Sequence, residues 1–120
     1  MRPRRLAAAL LATAACAAAV PRSSPPDAAT DAERTAALAQ DQRADDLERA
    51  LSALSLEDKP PDCARACELV EQICDLSQRI CLISGRHEGD ADLASRCAAA
   101  EQRCRRSRAR VPPSCSCQRR

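Results

Sequence analysis

Apolar positions along the chain fall into three blocks, and each repeats at the period of a helix rather than of a strand. The first is a single stripe, Ala37, Ala44, Leu47, Leu51 and Leu54, spaced as one helix face. Thr30-Asp31-Ala32-Glu33 ahead of it has the form of a capping box, which predicts a helix over 30–56. Only alanine fills the N-terminal half of the stripe, so little apolar area holds that half down. Glu57-Asp58-Lys59-Pro60-Pro61 ends the helix, because the residue before a proline is driven out of the helical region.

The second block carries two stripes. Asp62 is placed to cap a helix over Cys63 to Ser84, with Gly85 as its C′ residue. At 100° per residue, Cys67, Val70, Cys74 and Cys81 fall within about 60° of each other. Leu69, Ile73, Leu76, Ile80 and Ile83 form a second band about 130° away. Two bands require two neighbours: the cysteine band faces a third helix and the leucine–isoleucine band faces the first. That third helix is capped by Asp90, runs to near Val111 and is stopped by Pro112-Pro113. Gly85 to Gly89 makes the turn between the two. The predicted fold class is all-α: an antiparallel helical hairpin stapled by disulfides, with an additional N-terminal helix.

The cysteines fix the register of the hairpin. In an antiparallel pair, opposed residues share a constant index sum. Cys74 with Cys104 and Cys81 with Cys97 share one, 178. Helix axes about 10 Å apart, less two Cα radii of about 2.3 Å, leave facing Cα atoms about 5.4 Å apart, within disulfide reach. Ala66, Ser77, Ala94 and Ala100 are the small residues expected on the facing surfaces. The same sum pairs Cys63 with Cys115 and leaves Cys67 to Cys117; the swapped order, Cys63–Cys117 with Cys67–Cys115, stays open. Either order folds the tail back, so that 62–117 forms one stapled unit and 118–120 the remaining end. This layout resembles the coiled-coil-helix-coiled-coil-helix proteins, whose two antiparallel helices are clamped by two disulfides. The resemblance covers Cys74 to Cys104, where six residues separate the cysteines on each helix rather than that family's nine.

Cys16 stands apart from these eight. Met1 to Arg5 holds three arginines, Leu6 to Ala15 runs without a charge, and small residues follow, the arrangement of an export signal over 1–19. Ten residues are too few to span a bilayer as a helix. Thr13-Ala14-Ala15-Cys16 resembles the lipobox of bacterial lipoproteins, with Thr13 at the position where leucine is usual. That resemblance implies lipidation of Cys16 and a lipid anchor; the competing reading is cleavage after Ala19. Both leave eight cysteines for pairing and make disulfides their expected state. Val20 to Pro26 (VPRSSPP) reads as a tether over 20–29. More loosely, the whole chain resembles the uncharacterised cysteine-rich predicted lipoproteins of high-GC Gram-negative bacteria, a similarity that implies no activity.

Composition changes the picture in three respects. The chain of 120 residues contains no aromatic residue and only 2 glycines, so it offers neither a base-stacking platform nor a glycine-rich phosphate loop. A core built mainly of alanine and leucine is thin for this length and calls for covalent staples. Three of the 19 basic side chains lie in the signal, which leaves 16 against 17 acids and no argument for a nucleic-acid partner. The residual charge is polarised. Asp45, Asp46, Glu48, Glu57 and Asp58 end the first helix, while Arg103, Arg105, Arg106, Arg108 and Arg110 end the third. Mutual neutralisation, or contact with an anionic envelope surface or envelope protein, answers to that polarity.

Candidate chemistry is sparse. No C-x-x-C occurs, which weighs against zinc, although Cys115-Ser116-Cys117 has the spacing of a thiol-redox or metal-handling pair. His87, the only histidine, falls in the turn and reads as a solvated residue, with Glu88, Asp90 and Asp92 nearby as helix-capping acids. No nucleophile motif or metalloprotease signature is present. The expectation is a non-enzymatic exported envelope lipoprotein without catalytic residues, bound metal or cofactor.

Overall fold

The structure is a computed structural model that describes residues 28–54, 56–57 and 60–117. The export signal, Cys16, the tether up to residue 27 and residues 118–120 lie outside the described residues. Three helices follow in order: α1 (Asp31–Ala53), α2 (Cys63–Gly85) and α3 (Ala91–Arg110).

Each helix starts where a polar side chain can satisfy the free backbone donors of its first turn. Thr30 Oγ1 accepts from the Glu33 N–H, and the Glu33 carboxylate reaches back to the Thr30 N–H at 3.0 Å, completing the capping box. Asp62 accepts from the Arg65 N–H and Asp90 from the Leu93 N–H, each at 3.1 Å.

The ends depart from the sequence expectation in two places. α1 stops at Ala53, not Leu56: Leu54 is extended, and Leu54 and Leu56 both pack against the core of α2. A continued helix turns Leu56 about 200° from Leu54, so it cannot aim both at one neighbour. α2 runs through Gly85, and Arg86 in right-handed helical conformation is the cap. Gly85 is therefore an ordinary helical residue, not a left-handed C′ glycine.

α2 packs most extensively on α3 and less on α1. α1 runs antiparallel to α2: its first turn meets the hairpin turn through Glu33 and His87, and Leu47 and Leu51 meet Ala66, Leu69 and Ile73 near the start of α2. Two apolar clusters result. The larger joins Leu47 and Leu51 to Leu69, Ile73, Cys74 and Cys104, and the smaller joins Ala37 to Ile83 and Leu93. The α1 stripe is buried as expected at Ala37, Ala44, Leu47 and Leu51, with Leu54 half-buried.

On the facing surfaces, Ala66, Ser77 and Ala100 are buried and admit the close approach of the helices. Ala94 is exposed, a correction to the expected set. It lies about 100° around α3 from the centre of the buried stripe, on the solvent side. Ser107 takes a buried position instead, fully enclosed. No helix among the described residues is long and apolar enough to cross a membrane.

Candidate functional site

The disulfides set the geometry of the hairpin. Cys74–Cys104 and Cys81–Cys97 join α2 to α3 with Cα separations of 4.8 and 4.7 Å. The rungs are seven residues apart on both helices, so they keep one register over about 10.5 Å. Cys63 is bonded to Cys115 and Cys67 to Cys117, at Cα separations of 5.1 and 5.4 Å. Of the two open orders, this is the one that continues the constant index sum. The tail crosses the start of α2 as a short turn, with the Cys115 N–H bonded to the Pro112 carbonyl and the Cys117 N–H to the Cys115 carbonyl. All eight cysteines from 63 onward are bonded, which accords with an oxidising extracellular or periplasmic setting.

Between the tail, α2 and the end of α3 lies an open groove of about 740 Å³. Val70, Val111 and Pro112 supply its apolar surface, Glu71 and Asp75 line one side, and Arg108 contributes a cation. Cys67 and Cys117 both border it. Cys115 and Cys117 are thus not a pair with each other, since each holds a different turn of α2.

At the other rung, the Glu101 Oε1 atom lies 3.8 Å from Cys81 Sγ, and Cys81, Cys97 and Glu101 bring their ligand-type atoms within 4.8 Å of one another. A bonded sulfur carries no proton to donate and no thiolate charge, so in the disulfide state this trio is a packing contact and not a thiolate metal centre.

The charged side chains form a seam between α1 and α3. Arg103 is its hub: its guanidinium lies 3.4 Å from Asp41, 2.6 Å from Asp45 and 3.4 Å from Glu48. Arg96 reaches Asp41 at 2.9 Å and Asp92 at 3.0 Å, hydrogen bonds that hold it more firmly protonated, Asp92 first and Asp41 second. Arg106 stands 3.7 Å from Glu48, and Arg110 donates to Ser52 Oγ at 2.6 Å.

The expected neutralisation is therefore real at Asp45, Glu48, Arg103 and Arg106 and differs elsewhere. Asp46 pairs with Arg49 of its own helix. Arg105, Arg108 and Glu57 make no ion pair among the described residues, and Asp58 lies outside them. Asp41 and Arg96 escaped the sequence reading. The signal was present in the spacing of Asp41, Asp45 and Glu48 on α1 against Arg96, Arg103 and Arg106 on α3, two charged stripes of opposite sign.

His87 also departs from expectation. Its side chain is only 11% exposed, and Nε2 sits 2.7 Å from Glu33 Oε2. That contact is the largest cause holding the Glu33 carboxyl down at about 2, followed by the Thr30 N–H. Alongside it, Arg86 approaches Glu33 at 3.5 Å and Arg34 meets Asp90 at 2.5 Å. The Asp90 carboxyl is held below its ordinary value, first by the Leu93 N–H and then by the Arg34 charge, so the capping role read for it coexists with a tie to α1.

Comparison with protein-family profiles, with curated proteins and with solved structures found no match to the chain. It is a small, cysteine-rich, all-helical protein with four disulfides.

Proposed function

We propose that the protein is a non-enzymatic exported envelope lipoprotein, anchored through Cys16 and presenting a rigid, stapled hairpin to an envelope protein or an anionic surface. The observation that carries this reading is the division of the cysteines. All eight in the stapled unit are bonded to each other, and the odd one stands at the end of a basic, then apolar, then small-residue leader. The exposed Arg105 and Arg108, without ion pairs among the described residues, support an anionic partner. Intact-mass measurement on protein from the native envelope fraction tests the reading. Loss of residues 1–15 with a diacylglyceryl increment on Cys16 supports it, loss of residues 1–19 without one reduces it to plain secretion, and retention of Met1 refutes export.

The second reading is a thiol-redox or metal-handling protein that uses Cys115 and Cys117. Counting free thiols in the native protein separates the two. Zero thiols and no bound metal favour the first reading, whereas two free thiols in the tail or stoichiometric copper or zinc favour the second.

A further inference from the structure

The four disulfides differ in how open they are to a nucleophile. Cys74 and Cys104 are both buried, and Cys115 is buried at one end of Cys63–Cys115. Cys81–Cys97 is half-buried, but the Glu101 carboxylate 3.8 Å from Cys81 Sγ repels an incoming thiolate. Cys67–Cys117 joins a half-buried residue to an exposed one. Cys74 and Cys115 also border the groove of about 740 Å³, but both are buried, so the sulfur it presents most openly is that of Cys117. The groove carries Glu71 and Asp75 but also Arg108, so no single sign of charge guards it.

Opening this bond also disturbs little. The tail stays held to α2 by Cys63–Cys115, and no residue of the two apolar clusters is released. Each of the other three has at least one sulfur in the packed interior or a carboxylate beside it.

We infer that Cys67–Cys117 is a thiol–disulfide exchange site, at which an external thiolate entering from the groove attacks Cys117 Sγ. In that step the thiolate sulfur bonds to Cys117, the Cys67–Cys117 bond breaks, and Cys67 leaves as a thiolate that takes a proton from water. The reverse attack by Cys67 on the mixed disulfide regenerates the original bond and expels the donor thiolate. Cys117 is the sulfur that receives the partner and Cys67 the one that resolves it. The inference needs a thiol donor and does not rest on lipidation or on the proposed envelope role.

The test treats the oxidised full chain, without air, with reduced glutathione in one arm and with a reduced dithiol protein of thioredoxin type in the other. Alkylation then traps free thiols for peptide mapping. Arg65 lies between Cys63 and Cys67, so trypsin separates these two, and fragmentation of the tail peptide separates Cys115 from Cys117.

In the glutathione arm the expected result is a first adduct on Cys117 with Cys67 alkylated. In the dithiol arm, where the second thiol of the donor releases Cys117, it is Cys67 and Cys117 both alkylated with the other three bonds intact. Either product should form about tenfold faster than the opening of the next disulfide. The faster arm identifies whether the natural donor is a small thiol or a protein. A first adduct on any other cysteine, simultaneous opening of all four bonds, or no reaction in either arm overturns the inference. In Cys67→Ser, oxidised glutathione exchanges with the free Cys117 thiol, giving the Cys117 mixed disulfide and one reduced glutathione. Once glutathione is removed, that adduct should persist where the adduct on the native chain is resolved by Cys67, and equal lifetimes also overturn the inference.

Discussion

His87 Nε2 lies 2.7 Å from Glu33 Oε2, and this pair ties the first turn of α1 to the turn of the hairpin. The same carboxylate closes the capping box on Thr30, so one side chain both starts α1 and docks it. The tie depends on the ionised form of Glu33. Its folded value of about 2 lies below the ordinary 4.5, so its contribution is full above the ordinary carboxylate range and is lost as the pH falls from about 4.5 to about 2. Amide protection in the first two turns of α1, taken relative to the intrinsic exchange rate at each pH, should therefore fall over that window, while protection in α2 stays high. Glu33→Gln should lower that protection already at neutral pH and reduce its acid dependence to the part set by Asp90 through Arg34. An unchanged acid profile in the variant would show that another group sets it.

Gly85 is helical, and open space surrounds the position where a Cβ would stand. Gly85→Ala should therefore stabilise the fold by about 0.5–1 kcal/mol, by lowering the entropy of the unfolded chain and raising helix propensity. Thermal unfolding followed by far-ultraviolet circular dichroism measures this. Destabilisation would mean that the turn needs a left-handed residue after all.

Ser107 is fully buried and its hydroxyl has no hydrogen-bond partner among the described residues. Removing a buried hydroxyl that lacks a partner relieves a desolvation cost. Ser107→Ala should be neutral or stabilising by up to about 1 kcal/mol in urea unfolding, and a loss greater than that would reveal an unseen hydrogen bond.

Arg103 and Arg49 are both ion-paired arginines, but their settings differ. Arg103 is 15% exposed and touches three acids of another helix, whereas Arg49 is 76% exposed and pairs with Asp46 within its own. Arg103→Ala should cost about 1–2 kcal/mol, because it removes a half-buried guanidinium that bridges three acids of α1 while Arg96 still pairs with Asp41, and Arg49→Ala about 0.5 kcal/mol or less. Unfolding in urea with the disulfides intact distinguishes them, and equal effects would demote the seam to surface charge.

The hairpin was the most legible part of the chain because its register is covalent. Two cysteine pairs with one index sum leave no freedom to slip, and Asp62 and Asp90 mark the helix starts by a local rule that tertiary packing did not override. The charged side of α1 was less legible than its buried stripe, which lies where the apolar spacing put it. Asp41 lies on the side of α1 that meets Arg96 and Arg103, yet nothing in the pattern of alanine and leucine distinguishes a seam acid from a solvated one. Leu56 leaves the helix because burial against α2 outweighs one more turn of helix. At the tail, spacing alone left two pairing orders; the fold of 112–117 over the first turn of α2 selects Cys63–Cys115 and Cys67–Cys117.

Among the described residues every cross-link lies between Cys63 and Cys117, and none reaches α1. A force applied through the chain ahead of Thr30 therefore meets the Glu33, Arg34 and Arg103 contacts and the alanine stripe before it meets any covalent bond. Under such a load α1 yields first. Its 23 residues lengthen from about 1.5 Å each in the helix to about 3.4 Å each when drawn out, while the four cross-links keep the body beyond Cys63 from following. Under such a load the protein behaves as an extensible spring in series with an inextensible block.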